Sequence, residues 1–240
     1  MQIYRIAGLD IAIEPRYAYT ARQLADYAVN ESRCDLTIKV TEAMIAYEEE
    51  LGEKIHHVPQ RPDICEFTAI LRVICDFIIG KGGFFLHCSC LKYHDKAIIF
   101  TAPSGTGKST HAALWKRHFG DEVEMINDDK PLVREENGEF IIYGTPWRGK
   151  HGLGTNTSAP IGAVFFLAQA PDNAVEPVDS FTALSLLMQQ TVIPRGRDDT
   201  SALIDMLGRL IEKTPMFRLN CNISDDAVVT ALSALEDSSP

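Results

Sequence analysis

One segment sets the terms for the rest of this chain. The apolar run Ala97-Ile-Ile-Phe100 leads straight into Ala102-Pro-Ser-Gly-Thr-Gly-Lys-Ser-Thr110, and a helical stretch of about 109–118 follows. A strand, a glycine-containing turn and a helix in that order make an anion cradle. Backbone N–H groups turn inward around phosphate oxygens, and the positive end of the helix points at the same place. Gly105 and Gly107 supply the flexibility, and Ser104, Thr106 and Thr110 complete the loop. Lys108 would set a cation on the β- and γ-phosphates, and Ser109 would offer a hydroxyl to a magnesium ion. The position where such loops usually begin with glycine holds Ala102, whose methyl could crowd the turn.

Composition narrows the classes of partner. The 240 residues are 45% hydrophobic and 23% charged, as in an ordinary globular protein. A net charge of −10 repels nucleic acid and anionic lipid, so neither is expected as a partner. An anionic ligand therefore needs a local site that overcomes this field. The longest apolar run, 161–168, is too short to span a bilayer, and the first ten residues lack a secretory signal pattern. Six cysteines in no even framework fit a reducing cytoplasm.

Pattern reading places a hairpin at 2–6 and 9–13 around Gly8, a helix at 19–28 and a strand at 36–40 with 43–47 as a partner. A buried helix is expected at 66–79. A hairpin follows, with one strand at 84–91, a turn at His94-Asp95 and a second strand at 97–100. Further strands are expected at 122–126, 131–134, 140–143 (after a turn at Asn137-Gly138), 161–168 and 216–220. Helices are expected near 180–190, 199–213 and 225–236. The result is an α/β domain with a mixed sheet over 81–240, preceded by a small α+β region over 1–80 that could recognise a substrate or partner.

Asp128 and Asp129 end the strand after the glycine loop, 20 and 21 residues beyond Lys108. Adjacent carboxylates at a strand end are costly without nearby positive charge, which a magnesium ion beside the phosphates would supply. One aspartate could hold the metal and the other accept a proton from an attacking hydroxyl. The segment Tyr143–Gly154, rich in glycine and carrying Arg148, Lys150 and His151, reads as a cationic loop able to close over a γ-phosphate and exclude water. Arg148 is its leading candidate. His87-Cys-Ser-Cys90 invites a metal reading, but on a strand Cys88 and Cys90 point one way and His87 the other. Core cysteines are the better reading, and Trp115 reads as core too.

The loop SGTGKST and the segment INDD together resemble HPr kinase/phosphorylase and the related ATP-dependent phosphoenolpyruvate carboxykinases, over roughly 84–168. The spacing of His87 from Lys108 is similar to that of a histidine in the HPr kinases, which lies beside the catalytic aspartate. The resemblance implies a mixed-sheet P-loop domain of the HPr kinase/phosphoenolpyruvate carboxykinase type, with ATP and Mg2+ as nucleotide and metal. It gives Lys108 the transferring phosphoryl group, Ser109 and Asp129 the magnesium, and Asp128 the acceptor's proton, with His87 beside Asp128. The acceptor would be an alcohol, either a serine of a peptide or protein or a small hydroxylated molecule. Since HPr kinases are hexamers, a homo-oligomer is compatible. Pro194-Arg195-Gly196-Arg197 is only a faint echo of the signature that supports the reverse reaction, and no oxaloacetate site is recognisable. A non-catalytic ATP-binding sensor remains the alternative; retention of both aspartates weighs against it.

Overall fold

The computed structural model describes residues 1–237, apart from the side chains of His56 and Asp237. The chain divides into two units, Met1–Ile78 and Ile79–Pro240.

In the first unit, strands β1 (Gln2–Ile6) and β2 (Leu9–Ile13) form a tight hairpin in which Ala7 and Gly8 both take positive φ. Helix α1 (Ala18–Leu24), a 3-10 turn and the two-residue strand β3 (Ala28–Val29) follow, then β4 (Leu36–Ile38). The sheet order is β3-β1-β2-β4. The entry to α1 is held by Glu66, a wholly buried carboxylate that accepts the backbone N–H groups of Arg16 and Tyr17 at 2.7 and 3.1 Å. Those two bonds keep its charge solvated away from water.

Residues 43–47 do not form a strand. They open helix α2 (Glu42–His56), where Thr41 caps the start by accepting the Met44 N–H at 3.3 Å. Ala43, Met44 and Ala46 are good helix formers, and the charged run after them continues the helix rather than ending a strand. Helix α3 (Pro62–Ile79) closes the unit, starting four residues earlier than its apolar spacing predicts because Pro62 is well suited to a first helical turn.

The second unit has one mixed sheet between two helical layers. Its strands are β5 (Gly83–Phe85), β6 (Cys88–Tyr93), β7 (Lys96–Thr101), β8 (Val123–Asn127), β9 (Leu132–Glu136), β10 (Glu139–Tyr143), β11 (Ser158–Gln169), β12 (Ala174–Pro177) and β13 (Met216–Cys221). Its helices are α4 (Lys108–Phe119), α5 (Ser180–Met188), α6 (Arg197–Lys213) and α7 (Asp226–Asp237). The path runs β5-β9-β10-β11-β7-β6-β8, with β13 also on β11 and β12 on β13. Strands β7 and β13 both run parallel to β11; the remaining pairs of this unit are antiparallel.

Alternation sorts the two faces. Along β7, Ala97 and Ile99 enter the core under α5 and α6, while Ile98 and Phe100 enter the core under α4 and α7. Cys88 and Cys90 share the first of these cores, as their strand parity implies.

The expected strand at 84–91 is broken in two. Leu86 and His87 leave the ladder because their amides are used elsewhere: Leu86 N–H on Pro131 O at 3.4 Å and His87 N–H on Gln190 O at 2.7 Å. Thus β5 pairs with β9, and the hairpin is formed by β6 and β7. The break matters because it frees the His87 side chain from the alternation of the sheet.

Candidate functional site

Strand β7 carries the chain into the glycine loop. Its last residue, Thr101, is buried and donates Oγ1–H to His87 O at 3.0 Å, tying the loop's base to the β5–β6 break. Ala102 packs into the core beneath α4 and has no positive φ, so its methyl is accommodated and the loop turns further on. The turn is made by Gly105 and Gly107, with φ of 83° and 116°. A Cβ on either would meet nothing within 4 Å, so glycine serves the backbone angle here rather than clearance.

Gly107 precedes α4 and brings no side-chain cap. The first turn closes only with His111 N–H on Gly107 O at 2.8 Å, which leaves the earlier amides without intrahelical partners. Lys108 folds back across the loop, its Nζ donating to Ala102 O at 2.8 Å and Pro103 O at 3.4 Å. Burial pulls its pKa below the usual lysine value.

The acidic pair is shaped by Asn127, a fully buried residue that ends β8. Its Oδ1 accepts the N–H groups of Asp129 and Lys130 at 2.9 and 2.8 Å, and its Nδ2 donates to Thr145 O and Oγ1 at 3.1 and 3.2 Å. This Asx-type turn bends the chain sharply after Asn127. Consecutive side chains then leave the turn on different sides. The carboxylate of Asp128 meets the loop after β10, accepting the Gly149 N–H at 2.6 Å on Oδ1. Its Oδ2 is buried and, among the described residues, has no hydrogen-bond partner. Asp129 faces the other way, with Oδ1 3.3 Å from His87 Nε2 and Oδ2 on Lys130 Nζ. Burial raises the Asp129 carboxyl, but the contributions of His87 and Lys130 together outweigh it and hold the pKa below the ordinary aspartate value.

This arrangement corrects one expectation. His87 attends Asp129 rather than Asp128, because the Asn127 turn directs Asp128 away toward Gly149.

These groups share a cleft of about 430 Å3. Ser104, Gly105, Gly107, Lys108, Ser109 and Thr110 line it together with His87, Asp128 and Asp129. Thr106 instead lines a neighbouring cavity of about 370 Å3. From the loop after β10 come Gly149, Lys150 and His151; Arg148 is not part of this lining. The approach of that loop is close. A Cβ on Gly149 would sit 3.0 Å from Asp128 Oδ2 and 3.2 Å from its Cγ, so any larger residue would push the loop off the carboxylate. Trp147, two residues before, is buried and anchors the loop.

Three participants escape a motif-based reading. Ser89 is fully buried on β6 and donates to Asp128 O at 3.1 Å, with its Oγ 3.4 Å from Ser109 Oγ. Strand parity was the available signal, since Ser89 must point away from the two cysteines. Asn127 reads as an ordinary neighbour of two acids until Thr145 is placed beside it. Gln190 is 103 residues from His87 in sequence, yet its Oε1 lies 3.2 Å from His87 Nδ1.

The second cavity borders the glycine loop and is lined by His111, Leu114, Leu167 and Ile223 among others. His111 Nε2 accepts the indole N–H of Trp115 at 3.2 Å, and burial lowers the His111 pKa to about 4. Trp115 is wholly buried, which agrees with its reading as a core residue.

The donor set of the cleft fits a hard divalent cation. Asp128 Oδ2 is a buried carboxylate oxygen with no partner among the described residues, and Ser109 Oγ lies beside the same turn, 3.4 Å from Asp128 O. Oxygen ligands few in number suit magnesium that shares its coordination with phosphates and water. Among the described residues there is no cluster of three or more His, Cys, Asp or Glu able to hold a metal unaided.

No protein-family model matches the chain. No curated protein matches it either. Among solved structures it is similar to an Hpr(Ser) kinase/phosphatase from Coxiella burnetii, over 65% of this chain and 99% of that one, with 11% identity and a TM-score of 0.33. That is a distant likeness in fold, too slight to carry chemistry across. Among the described residues no helix is long and apolar enough to cross a membrane.

Proposed function

We propose that this protein is an ATP- and magnesium-dependent kinase that transfers the γ-phosphoryl group to an alcohol, either a serine of a peptide or protein or a small hydroxylated molecule. One observation carries the reading: a buried lysine, a serine hydroxyl and two carboxylates of unlike surroundings face one cleft beside a glycine turn at a helix start. A site that only bound a nucleotide would need the anion cradle and one metal ligand; the second carboxylate, paired with a histidine, is what a proton transfer requires.

Ser109 and Asp128 would hold the magnesium, which when bound supplies charge neutralisation to the β- and γ-phosphates. The unpartnered Asp128 Oδ2 supports this assignment, which exchanges the roles that the sequence resemblance gave the two aspartates. Asp129 takes the acceptor's proton. The alcohol oxygen bonds to the γ-phosphorus as the bond from that phosphorus to the β-bridging oxygen breaks. ADP leaves with the bridging electron pair, and the alcohol's proton stays on the Asp129–His87 pair until solvent removes it. Lys108 neutralises charge on the transferring group, and the backbone amides of 105–110 orient it. The loop of Gly149, Lys150 and His151 covers the cleft on the acceptor side and limits competition from water. In this reading the cationic contribution first given to Arg148 falls to Lys150 and His151.

The test uses the full chain with labelled ATP, magnesium and panels of hydroxylated metabolites and serine peptides. Label appearing on an acceptor, and lost in Asp129→Asn with Mg·ATP affinity kept, supports the proposal. Tight Mg·ATP binding with no acceptor labelled and no hydrolysis under any condition would instead make the protein a nucleotide sensor.

A further inference from the structure

We propose that the cavity of about 370 Å3 beside the glycine turn holds a purine base, and that Gln169 makes it select adenine over guanine. The inference rests on the kinase reading, because it needs a triphosphate lying in the adjoining cleft.

Three neighbouring strands end at this cavity. Strands β7 and β13 both run parallel to β11, so their carboxyl ends face one way. The glycine turn leaves β7, Gln169 and Ala170 close β11, and Asn222 and Ile223 follow β13. In open α/β sheets, ligands sit in the crevice outside such ends. The cavity shares Gly105, Gly107 and Thr110 with the cleft that holds Lys108 and the two aspartates. One ligand can therefore occupy both, with its phosphates in the cleft and its base in the cavity.

The walls suit a flat ring. Leu114 and Leu167 are buried apolar lining, and Ile223 lines the same space while 77% exposed. An isoleucine left that bare is stabilised by covering an aromatic base. The wall that carries it is tied down. Ala170 N–H donates to Cys221 O at 3.0 Å, Asn222 N–H to Asn173 Oδ1 at 3.0 Å, and Asn222 Nδ2 to Pro171 O at 2.7 Å. A ligand thus meets a formed cavity and does not have to order it.

Gln169 supplies the discriminating contact. Strand alternation puts it on the same face of β11 as Leu167. Its Nε2 donates to Thr106 O at 3.1 Å, which holds the amide against the glycine loop. That bond uses one amide hydrogen and leaves the other, beside Oε1, for a ligand. Adenine offers the complementary pair, an amino donor at N6 next to the acceptor N7, whereas guanine presents two acceptors, O6 and N7. A guanine O6 would stand against Gln169 Oε1. Turning the amide over to suit guanine would set Oε1 against Thr106 O and lose the bond that fixes it.

The test uses the full chain and three magnesium-loaded probes in calorimetric titration: the non-hydrolysable β,γ-imido analogues of ATP and GTP, and tripolyphosphate. Wild type is expected to prefer the adenine analogue to the guanine one by about 5-fold or more, and to bind it more tightly than tripolyphosphate. Gln169 is exposed, so Gln169→Leu should fold. It should bring the two nucleotides within about 2-fold of each other and leave tripolyphosphate within about 2-fold of wild type. A smaller wild-type preference, or a larger one surviving in Gln169→Leu, overturns the proposal. So does a loss of tripolyphosphate in Gln169→Leu as large as that of the adenine analogue, which would make Gln169 a support of the glycine loop. Tripolyphosphate held as tightly as the adenine analogue by wild type defeats the base site and leaves the kinase reading standing. No affinity for any of the three defeats both.

Discussion

His87 Nε2 lies 3.3 Å from Asp129 Oδ1, while the adjoining Asp128 turns its carboxylate to the Gly149 amide. Two neighbouring acids therefore work in different surroundings, one beside an imidazole and one under a loop. Asp129→Asn should lower phosphoryl transfer by about 10²–10⁴-fold, the usual weight of a proton-transfer group, with little change in Mg·ATP affinity. Asp128→Asn should instead weaken the magnesium dependence of nucleotide binding. Titration of each variant with ATP at several magnesium concentrations separates the two; equal effects in both would reject the division of roles.

Asn127 organises that division, and its removal should be costly. In Asn127→Ala the N–H groups of Asp129 and Lys130 and the hydroxyl of Thr145 lose a buried partner. With about 1–3 kcal/mol for each buried polar group left unsatisfied and some relief from water, a loss of roughly 2–4 kcal/mol is expected in urea denaturation. A loss under about 0.5 kcal/mol would show that the turn holds without it.

Acid should weaken the second unit through His111. Its pKa is lowered to about 4 by burial, against an unfolded value of about 6.5. The unfolded chain thus binds the proton more readily between those limits. Stability is complete above about pH 6.5 and falls as pH drops toward 4. The His111 contribution to the loss at pH 5 is on the order of 2 kcal/mol. His111→Gln should flatten the slope of stability between pH 7 and 5. An unchanged slope would mean that His111 does not carry it.

Gly149→Ala tests the loop. The added methyl would fall 3.0–3.3 Å from the Asp128 carboxylate atoms, and the 2.6 Å bond from the Gly149 amide should break. Buried Trp147 should then emit at longer wavelength while the melting temperature moves little. An unshifted emission would show that the loop accommodates the methyl in place.

Thiol accessibility gives an independent check on the sheet. Cys88 and Cys90 are wholly buried, and burial pushes the Cys88 thiol well above its usual pKa. Burial also pushes Cys75 up to about 12. Ellman's reagent should titrate exposed Cys34 rapidly in the native state and leave Cys75, Cys88 and Cys90 unreacted until the chain is unfolded. Rapid modification of Cys88 or Cys90 would contradict the two-sided core.

What could be read from the sequence follows the range of the interactions. The strand, turn and helix around 97–119 depend on neighbours within a few residues, and periodicity places them to within a residue or two. The opposed faces of Cys88 and Ser89 follow from strand parity alone. The β5–β6 break does not, because Gln190 and Pro131 cause it from outside the segment. The partner of His87 depends on which way a three-residue turn sends each acid, and that was decided by Thr145 gripping Asn127 across 18 residues. Helix α2 is not legible for a different reason: five residues, 43–47, are too few to tell a helical period from an extended one.

The fold-back of Lys108 onto Ala102 O and Pro103 O bears on how strongly any oxyanion can be held. The ammonium already has carbonyl partners of its own, so an arriving phosphate exchanges one set of oxygen contacts for another instead of satisfying an isolated charge. Only the difference between those sets reaches the dissociation constant. A loop built this way needs no bound anion to hold its lysine in place, and it would rank oxyanions by how well their oxygens match the cradle more than by how many negative charges they bring.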